Sequence, residues 1–441
     1  MKLLSSRPAA LLCAAALLWP GARWNSLTIA AGLAGAFWLP RRRAEALSAT
    51  AVGCFLVQLL PESFKAGWGL KPLLFSLGWV GGVLALTPFL ARLKHPALWL
   101  HAGAAAGLAA LATLNITGIR VVSSAAALQL LTCEFVWRST YWVKWRQRAK
   151  DGARPLELLK HLYALVPFFR MGGVPLGKQP EYMARHEARN EEEVREGRIE
   201  GIRLLVLAMA WRLALRAMDR YVFAADPVAV PSILVLLQDP APFSLAERWA
   251  GLFMELFRAI LDLAVWWHTM VGVFQLAGYR IPRNVDAPLL ASTVLDFWNR
   301  YFFYFKELLV DFFFFPAFLR LKGCNRAARS ALAIFAAAFL GNLYYHALLY
   351  SNLLMEARTG AFEEWMLSRV VYCAALATGL AVSMYRTLRN PAPAEKPWAR
   401  RVLGTAAAGA FFAVIHVWNA GPREITFEMR SDLMRALLGL G

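Results

Sequence analysis

Long apolar runs alternate with short charged ones along the chain. The stretches 96–116 (PALWLHAGAAAGLAALATLNI) and 330–354 (SALAIFAAAFLGNLYYHALLYSNLL) contain no Lys, Arg, Asp or Glu. At a helical rise of about 1.5 Å per residue each is long enough to cross a hydrocarbon core of roughly 30 Å. From about residue 9 to 138, Ala/Leu-rich segments alternate with breaks at Pro20, Pro40–Arg43, Pro61–Lys71, Arg92–Pro96 and Thr117–Arg120. This pattern predicts about five or six spans by length.

Residues 139–200 change character. A polar stretch (139–161, STYWVKWRQRAKDGARPLELLKH) leads into an apolar fragment too short to span (162–177, LYALVPFFRMGGVPLG), and then into a run of mixed charge beginning at Glu181. The prolines and glycines of the fragment rule out one straight helix in lipid, so a re-entrant turn buried in protein is expected, followed by an amphipathic helix. Apolar segments then recur near 202–218, 221–238 and 248–278, a long aromatic helix near 291–315, and spans near 330–354, 366–386 and 402–419. The predicted fold is an all-α, polytopic transmembrane helical bundle of about 11–13 membrane segments. It divides into N-terminal transmembrane helices (1–138), a loop with re-entrant and amphipathic segments (139–200) and C-terminal transmembrane helices (201–441). No internal repeat is found.

Composition agrees, since a hydrophobic fraction of 59% and a mean hydropathy of +0.44 exceed what a water-facing surface tolerates. The net charge of +19 would suit nucleic acid if it formed a separate basic domain. Instead it is spread over short loops, at Arg41–Arg43, Lys144–Lys150, Arg320–Arg329 and Lys396–Arg401, where basic residues orient spans and meet lipid headgroups. A multi-pass protein of the bacterial inner (cytoplasmic) membrane, with the bilayer and not nucleic acid as partner, is expected. Lys2 and Arg7 ahead of LLCAAALLWP resemble a signal sequence, but further apolar runs favour a retained first helix. Five scattered cysteines (Cys13, Cys54, Cys133, Cys324, Cys373) without a Cys-x-x-Cys pair indicate neither a disulfide framework nor a thiolate metal site.

Strongly polar residues inside apolar runs are costly and therefore candidates for chemistry. In 291–315 (ASTVLDFWNRYFFYFKELLVDFFFF), Asp296, Asn299, Lys306 and Glu307 fall close to one stripe of a helix. In the next span, Asn342, His346 and Tyr350 follow at i, i+4 and i+8. Two such stripes facing each other would put an amide beside an imidazole, sheltered from lipid. A histidine whose unperturbed pKa is near 6.5 suits a general base, whereas the same residue can equally serve as a hydrogen bond between helices. Glu307 and Asp311 form a possible carboxylate pair, with salt bridges to Arg320 and Lys322 as the alternative. His268 reads as structural, and His95, His101, His161 and His186 lie near loop edges.

The run GYRIPRNVDAPLLASTVLDFWNRYFFYFKELLVDFFFFP (278–316) resembles the signature of the membrane-bound O-acyltransferases: Gly278, Tyr279, Arg280 and Pro282, then Asn284, Pro288 and Leu289, the Phe297-Trp298 pair, and Asp311 and Pro316. The span after it supplies His346 where the family carries a membrane histidine. The segment 165–182 (LVPFFRMGGVPLGKQPEY) is a second, weaker match, so the resemblance covers about 160–352. Bacterial members that acylate polysaccharides usually have another histidine after the Phe-Trp pair, where this chain has Phe302. Trp298-Asn299 instead fits the version of members acting on lipids or proteins. His416 has no family counterpart.

The resemblance implies an acyltransferase that moves an acyl group from a thioester donor, on coenzyme A or an acyl-carrier protein, to a hydroxyl of a lipid, polysaccharide or other acceptor. No bound cofactor and no metal are expected. His346 would be the catalytic base and Asn299 its partner, donating to the oxyanion or holding the acceptor, in a core of about 278–352. Asp296, Arg300, Lys306, Asn342 and Asp311 would bind substrate or support the site. The absence of a Gly-x-Ser-x-Gly elbow agrees with direct transfer. The rival class is a transporter, since polar stripes inside helices and broken helices also build substrate pathways.

Overall fold

The computed structural model describes residues 6–117, 125–148, 159–167, 173–176, 178, 180–223, 230–356, 358–389, 398–422 and 424–440. Every regular element among them is a helix. Among the described residues, seven helices are long and apolar enough to cross a membrane: Pro40–Lys65, Lys71–Leu90, Pro96–Leu114, Leu245–Leu276, Arg326–Met355, Thr359–Arg389 and Trp398–His416. This fits a multi-pass integral membrane protein, with fewer qualifying helices than the 11–13 segments expected. Part of the shortfall has local causes. Of the expected span at 221–238, residues 224–229 lie outside the described residues and the six-residue helix Ile233–Gln238 follows Pro231, while 202–218 is the apolar end of a longer helix that starts in the charged run. The helix expected at 291–315 is broken into pieces.

The chain divides into two compact units. The first comprises Met1–Met209, His268–Pro282 and Ser351–Ala357. Its helices α1 (Arg7–Trp38) and α2 (Arg43–Lys65) form a hairpin, and α3 (Lys71–Leu90) and α4 (Pro96–Ile116) pack on α5 (Ala125–Arg148). Only 17% of the most apolar window of α3, and of α4, is buried, as suits helices whose solvent is lipid. Phe55, Leu59, Leu131, Phe135 and Val166 form a core between α2, α5 and the chain after Leu165. Ser48 Oγ pins that chain by donating to the Lys160 carbonyl (2.6 Å) and accepting from Tyr163 N–H (3.2 Å). The expected re-entrant turn falls largely on 168–172 and 177, outside the described residues; the flanking Leu165, Val174 and Leu176 are buried. Helix α6 (Glu191–Tyr221) crosses α7 (Leu245–Leu276) at a glycine pair, where a Cβ on Gly201 would stand 2.8 Å from the Gly272 carbonyl oxygen. The expected boundaries at 138 and 200 both lie inside continuous helices, α5 and α6.

The second unit comprises Ala210–Trp267, Arg283–Tyr350 and Arg358–Gly441. It contains α8 (Val294–Tyr301), α9 (Phe303–Leu309), a π-turn (Val310–Phe314) and α10 (Phe315–Arg320). Beyond these come α11 (Arg326–Ile334), a second π-turn (Phe335–Gly341) and α12 (Asn342–Tyr350), then α13 (Thr359–Arg389), α14 (Trp398–His416) and α15 (Phe427–Leu437). Helix α13 is the hub, packing on α8, α11, α12, α14, α15 and the second π-turn.

Candidate functional site

The start of the signature-like segment folds against the charged run before α6. Gly278 takes a φ of +95°, which a side chain would strain. Its carbonyl accepts from Ala188 N–H (2.9 Å), Arg280 N–H donates to the His186 carbonyl (2.7 Å), and the Arg280 guanidinium lies 3.3 Å from Glu193 and 3.5 Å from Glu196. These residues hold the loop to the head of α6.

Within the second unit, Asn284 explains why 291–315 is not one helix. Its carbonyl accepts from Phe303 N–H (3.0 Å) and its Oδ1 from Tyr304 N–H (2.9 Å), while Asp286 N–H donates to the Arg300 carbonyl (2.8 Å). The chain segment thereby takes over backbone partners at the junction of α8 and α9, and Phe302 sits extended (φ −143°, ψ 73°) between two helices. Phe302 packs on Trp267 and Phe305, so its surroundings are aromatic.

The break scatters the expected stripe. Asp296 Oδ1 pairs with Arg300 Nε at 2.9 Å on α8, and Lys306 Nζ lies 3.4 Å from Glu307 on α9 and 4.7 Å from the Phe303 ring centroid. Asp311 falls in the first π-turn. Phe297 and Trp298 are buried, with Phe297 stacked 3.8 Å from Phe412 of α14. Asn299 is exposed on α8, which packs on α13 and α14. The structure therefore does not join Asn299 to His346 in the expected pair: one amide faces outward and the imidazole is buried.

His346 lies in α12, which starts where the second π-turn ends. The two π-turns pack together, and Gly341 admits the Phe313 ring so closely that a Cβ would meet it at 2.6 Å. The wider turn alters the rotation of α12 about its axis, a device frequent at functional sites. His346 stacks on Tyr350 (5.9 Å, 11°) and meets Tyr345 and Tyr372 edge-on at 5.8 and 6.1 Å. Its Nδ1, and both amide atoms of Asn342 one turn earlier, are enclosed without a hydrogen-bond partner among the described residues. Asn342 is 0% exposed, so these orphaned groups carry a desolvation cost of about 1–3 kcal/mol each.

Two arginines complete the surroundings. Arg369 of α13 is fully buried and donates to the carbonyls of Trp418 and Asn419 (the latter at 2.9 Å) and to the Tyr350 hydroxyl at 3.5 Å. Its guanidinium lies 4.2 Å from the Trp365 ring centroid and within Coulombic reach of His346. Arg430 of α15, also buried, donates to the carbonyls of Val417 and Ala420. Together they cap the C-terminal end of α14, where unsatisfied carbonyls concentrate negative charge. Burial, and then the charge of Arg369, pull Arg430 down to about 10, which leaves it cationic at neutral pH. Arg369 lies inside an expected span, so the rule that singled out His346 applies to it as well. No protein-family model matches the chain, and no curated protein matches it.

Proposed function

We propose that the chain is a membrane-bound O-acyltransferase that moves an acyl group from a thioester, on coenzyme A or an acyl-carrier protein, to a hydroxyl acceptor. The observation that carries the proposal is His346, buried in an apolar span with an unpartnered Nδ1 and an unpartnered amide, Asn342, one turn away. His346 takes the acceptor's proton as the hydroxyl oxygen attacks the thioester carbonyl, and returns it to the departing thiolate when the tetrahedral intermediate collapses. Asn342 Nδ2 is the amide donor for the developing oxyanion, in place of the Asn299 amide that helical spacing suggests; Asn299, exposed on α8, is left to meet substrate. Asp296 with Arg300 and Lys306 with Glu307 support α8 and α9, and Asp311 belongs to the π-turn packed beside α12.

Charge placement supports a bacterial inner-membrane orientation. Two candidate spans separate Arg320–Arg329 from Lys396–Arg401, and two separate Arg41–Arg43 from Arg92 and Lys94, so each pair of basic clusters falls on one side, the cytoplasmic side where the donor is made. The test is transfer from radiolabelled acyl-thioesters to candidate acceptors by purified protein. His346→Ala should abolish transfer while expression is intact, and a fully active variant would sink the assignment. Transport is the second reading, favoured by the helix broken at Phe302. Substrate uptake into proteoliposomes without any acyl transfer would select it.

A further inference from the structure

Within the first unit, α3 and α4 are each fastened to α5, at neighbouring residues. Trp79 Nε1 of α3 donates to Ser139 Oγ (2.9 Å), and His101 Nε2 of α4 lies 3.0 Å from Thr140 Oγ1. Successive residues of a helix point roughly 100° apart, so the two pegs hold α3 and α4 on different sides of α5. Between them runs a groove of about 530 Å³, floored by Thr132. Its walls are opened by Gly78 and Gly82 on α3 and by Gly103 and Gly107 on α4, where a Cβ would meet nothing within 4 Å. The Thr132 hydroxyl is spent on the Leu128 carbonyl (2.8 Å) and the Trp79 indole N–H on Ser139, so the interior of the groove is apolar.

One mouth of the groove is basic. Leu90 and Trp99 line the end nearest the turn between α3 and α4, and in that turn Arg92 and Lys94 are exposed. Gln147 Nε2 donates to the Leu93 carbonyl (2.8 Å), which brings the end of α5, with exposed Arg148, to the same turn. These three cations make no ion pair among the described residues, and 88–101 and 135–148 contain no Asp or Glu. We infer that the groove holds one acyl chain of an anionic phospholipid, whose phosphate sits at Arg92, Lys94 and Arg148. The charge at the mouth selects an anion and the apolar interior selects a hydrocarbon chain, and one molecule of phospholipid supplies both. Along α3 the groove extends from Phe75 to Leu90, about 20 Å at the helical rise, so a chain entering at the mouth reaches past the middle of a core of roughly 30 Å. Its volume over that length leaves a slot narrower than the roughly 10–12 Å diameter of a helix, which disfavours a spanning helix of a second copy. The inference concerns binding alone and does not rest on acyl transfer.

The test is photolabelling of the full chain in detergent micelles with a phosphatidylglycerol that carries a diazirine in one acyl chain. Labelling should saturate and map to 75–90 and 99–111. Unlabelled phosphatidylglycerol should compete at least about tenfold better than phosphatidylcholine with the same acyl chains. Gly82→Leu combined with Gly103→Leu fills the groove and should cut labelling at least about fivefold. Arg92→Gln combined with Lys94→Gln should reduce the preference for phosphatidylglycerol to less than about threefold, while labelling by the matching phosphatidylcholine probe stays unchanged. Thermal unfolding is recorded for both variants, and if the glycine variant does not fold, the exposed Arg92 and Lys94 substitutions decide the matter. Equal competition by the two lipids, or labelling indifferent to the glycine substitutions in a folded variant, overturns the assignment. So does stronger competition by an acyl-coenzyme A, which would make the groove a seat for the acyl donor, or cross-linking of two copies through α3 and α4 in place of lipid.

Discussion

The α8–α9 segment and the span ending in α12 both place polar side chains at helical spacing in apolar surroundings, yet they resolve that cost in opposite ways. On α8 and α9 the charges neutralise one another locally, Asp296 with Arg300 and Lys306 with Glu307, and Asn299 turns outward. On α12, Asn342 and His346 are buried with unmet polar atoms. Helical spacing finds both groups. A structural pair and a candidate for chemistry are separated by the lack of a local partner, because a buried group without one costs stability that some other requirement must offset.

Paired activity measurements give the largest test of that contrast. His346→Ala should lower the transfer rate by about 10³-fold or more, in the range of a removed general base, whereas Asn299→Ala should cost less than about tenfold. Equal losses would return Asn299 to the centre of the site. Arg369→Leu addresses stability. It removes the donors to the Trp418 and Asn419 carbonyls, for an expected loss of about 3 kcal/mol in detergent unfolding. An unchanged melting temperature would mean that the cap on α14 is dispensable.

Much of this arrangement can be read from the chain. The runs expected at 330–354, 366–386, 402–419 and 248–278 correspond to the helices Arg326–Met355, Thr359–Arg389, Trp398–His416 and Leu245–Leu276, because unbroken apolar length is a local property. The break at Phe302 is not legible. No Gly or Pro lies between Ala291 and Phe315, and the interruption comes from Asn284, distant in sequence, supplying the hydrogen bonds. Neither π-turn has a sequence mark. Facing partners such as the expected Asn299–His346 pair depend on tertiary packing and helix rotation, which spacing leaves open. Arg369 is legible as a charge within an expected span, but its capping role depends on carbonyls near residue 418.

The clip supplied by Asn284 can be tested directly. Asn284→Ala removes the acceptor for Tyr304 N–H in a site only 1% exposed, so the variant should lose about 1–2 kcal/mol of stability. Hydrogen exchange should rise first at Phe303–Phe305. Exchange that stays slow there would show that the junction holds without the side chain.

The smallest effect belongs to Asp296→Asn, and its smallness is the sharpest statement of the comparison. The Asp296–Arg300 pair spans one helical turn with both side chains more than a third exposed, so its Coulombic gain is screened and offset by the ordering of two flexible chains. The substitution keeps the shape and leaves the N-cap bond from Asp296 N–H to Thr293 Oγ1 in place. Stability should therefore change by no more than about 1 kcal/mol, and transfer activity by less than about threefold. A loss approaching that of His346→Ala would mean that the carboxylate acts on substrate, and the outward-facing stripe would then belong to the site.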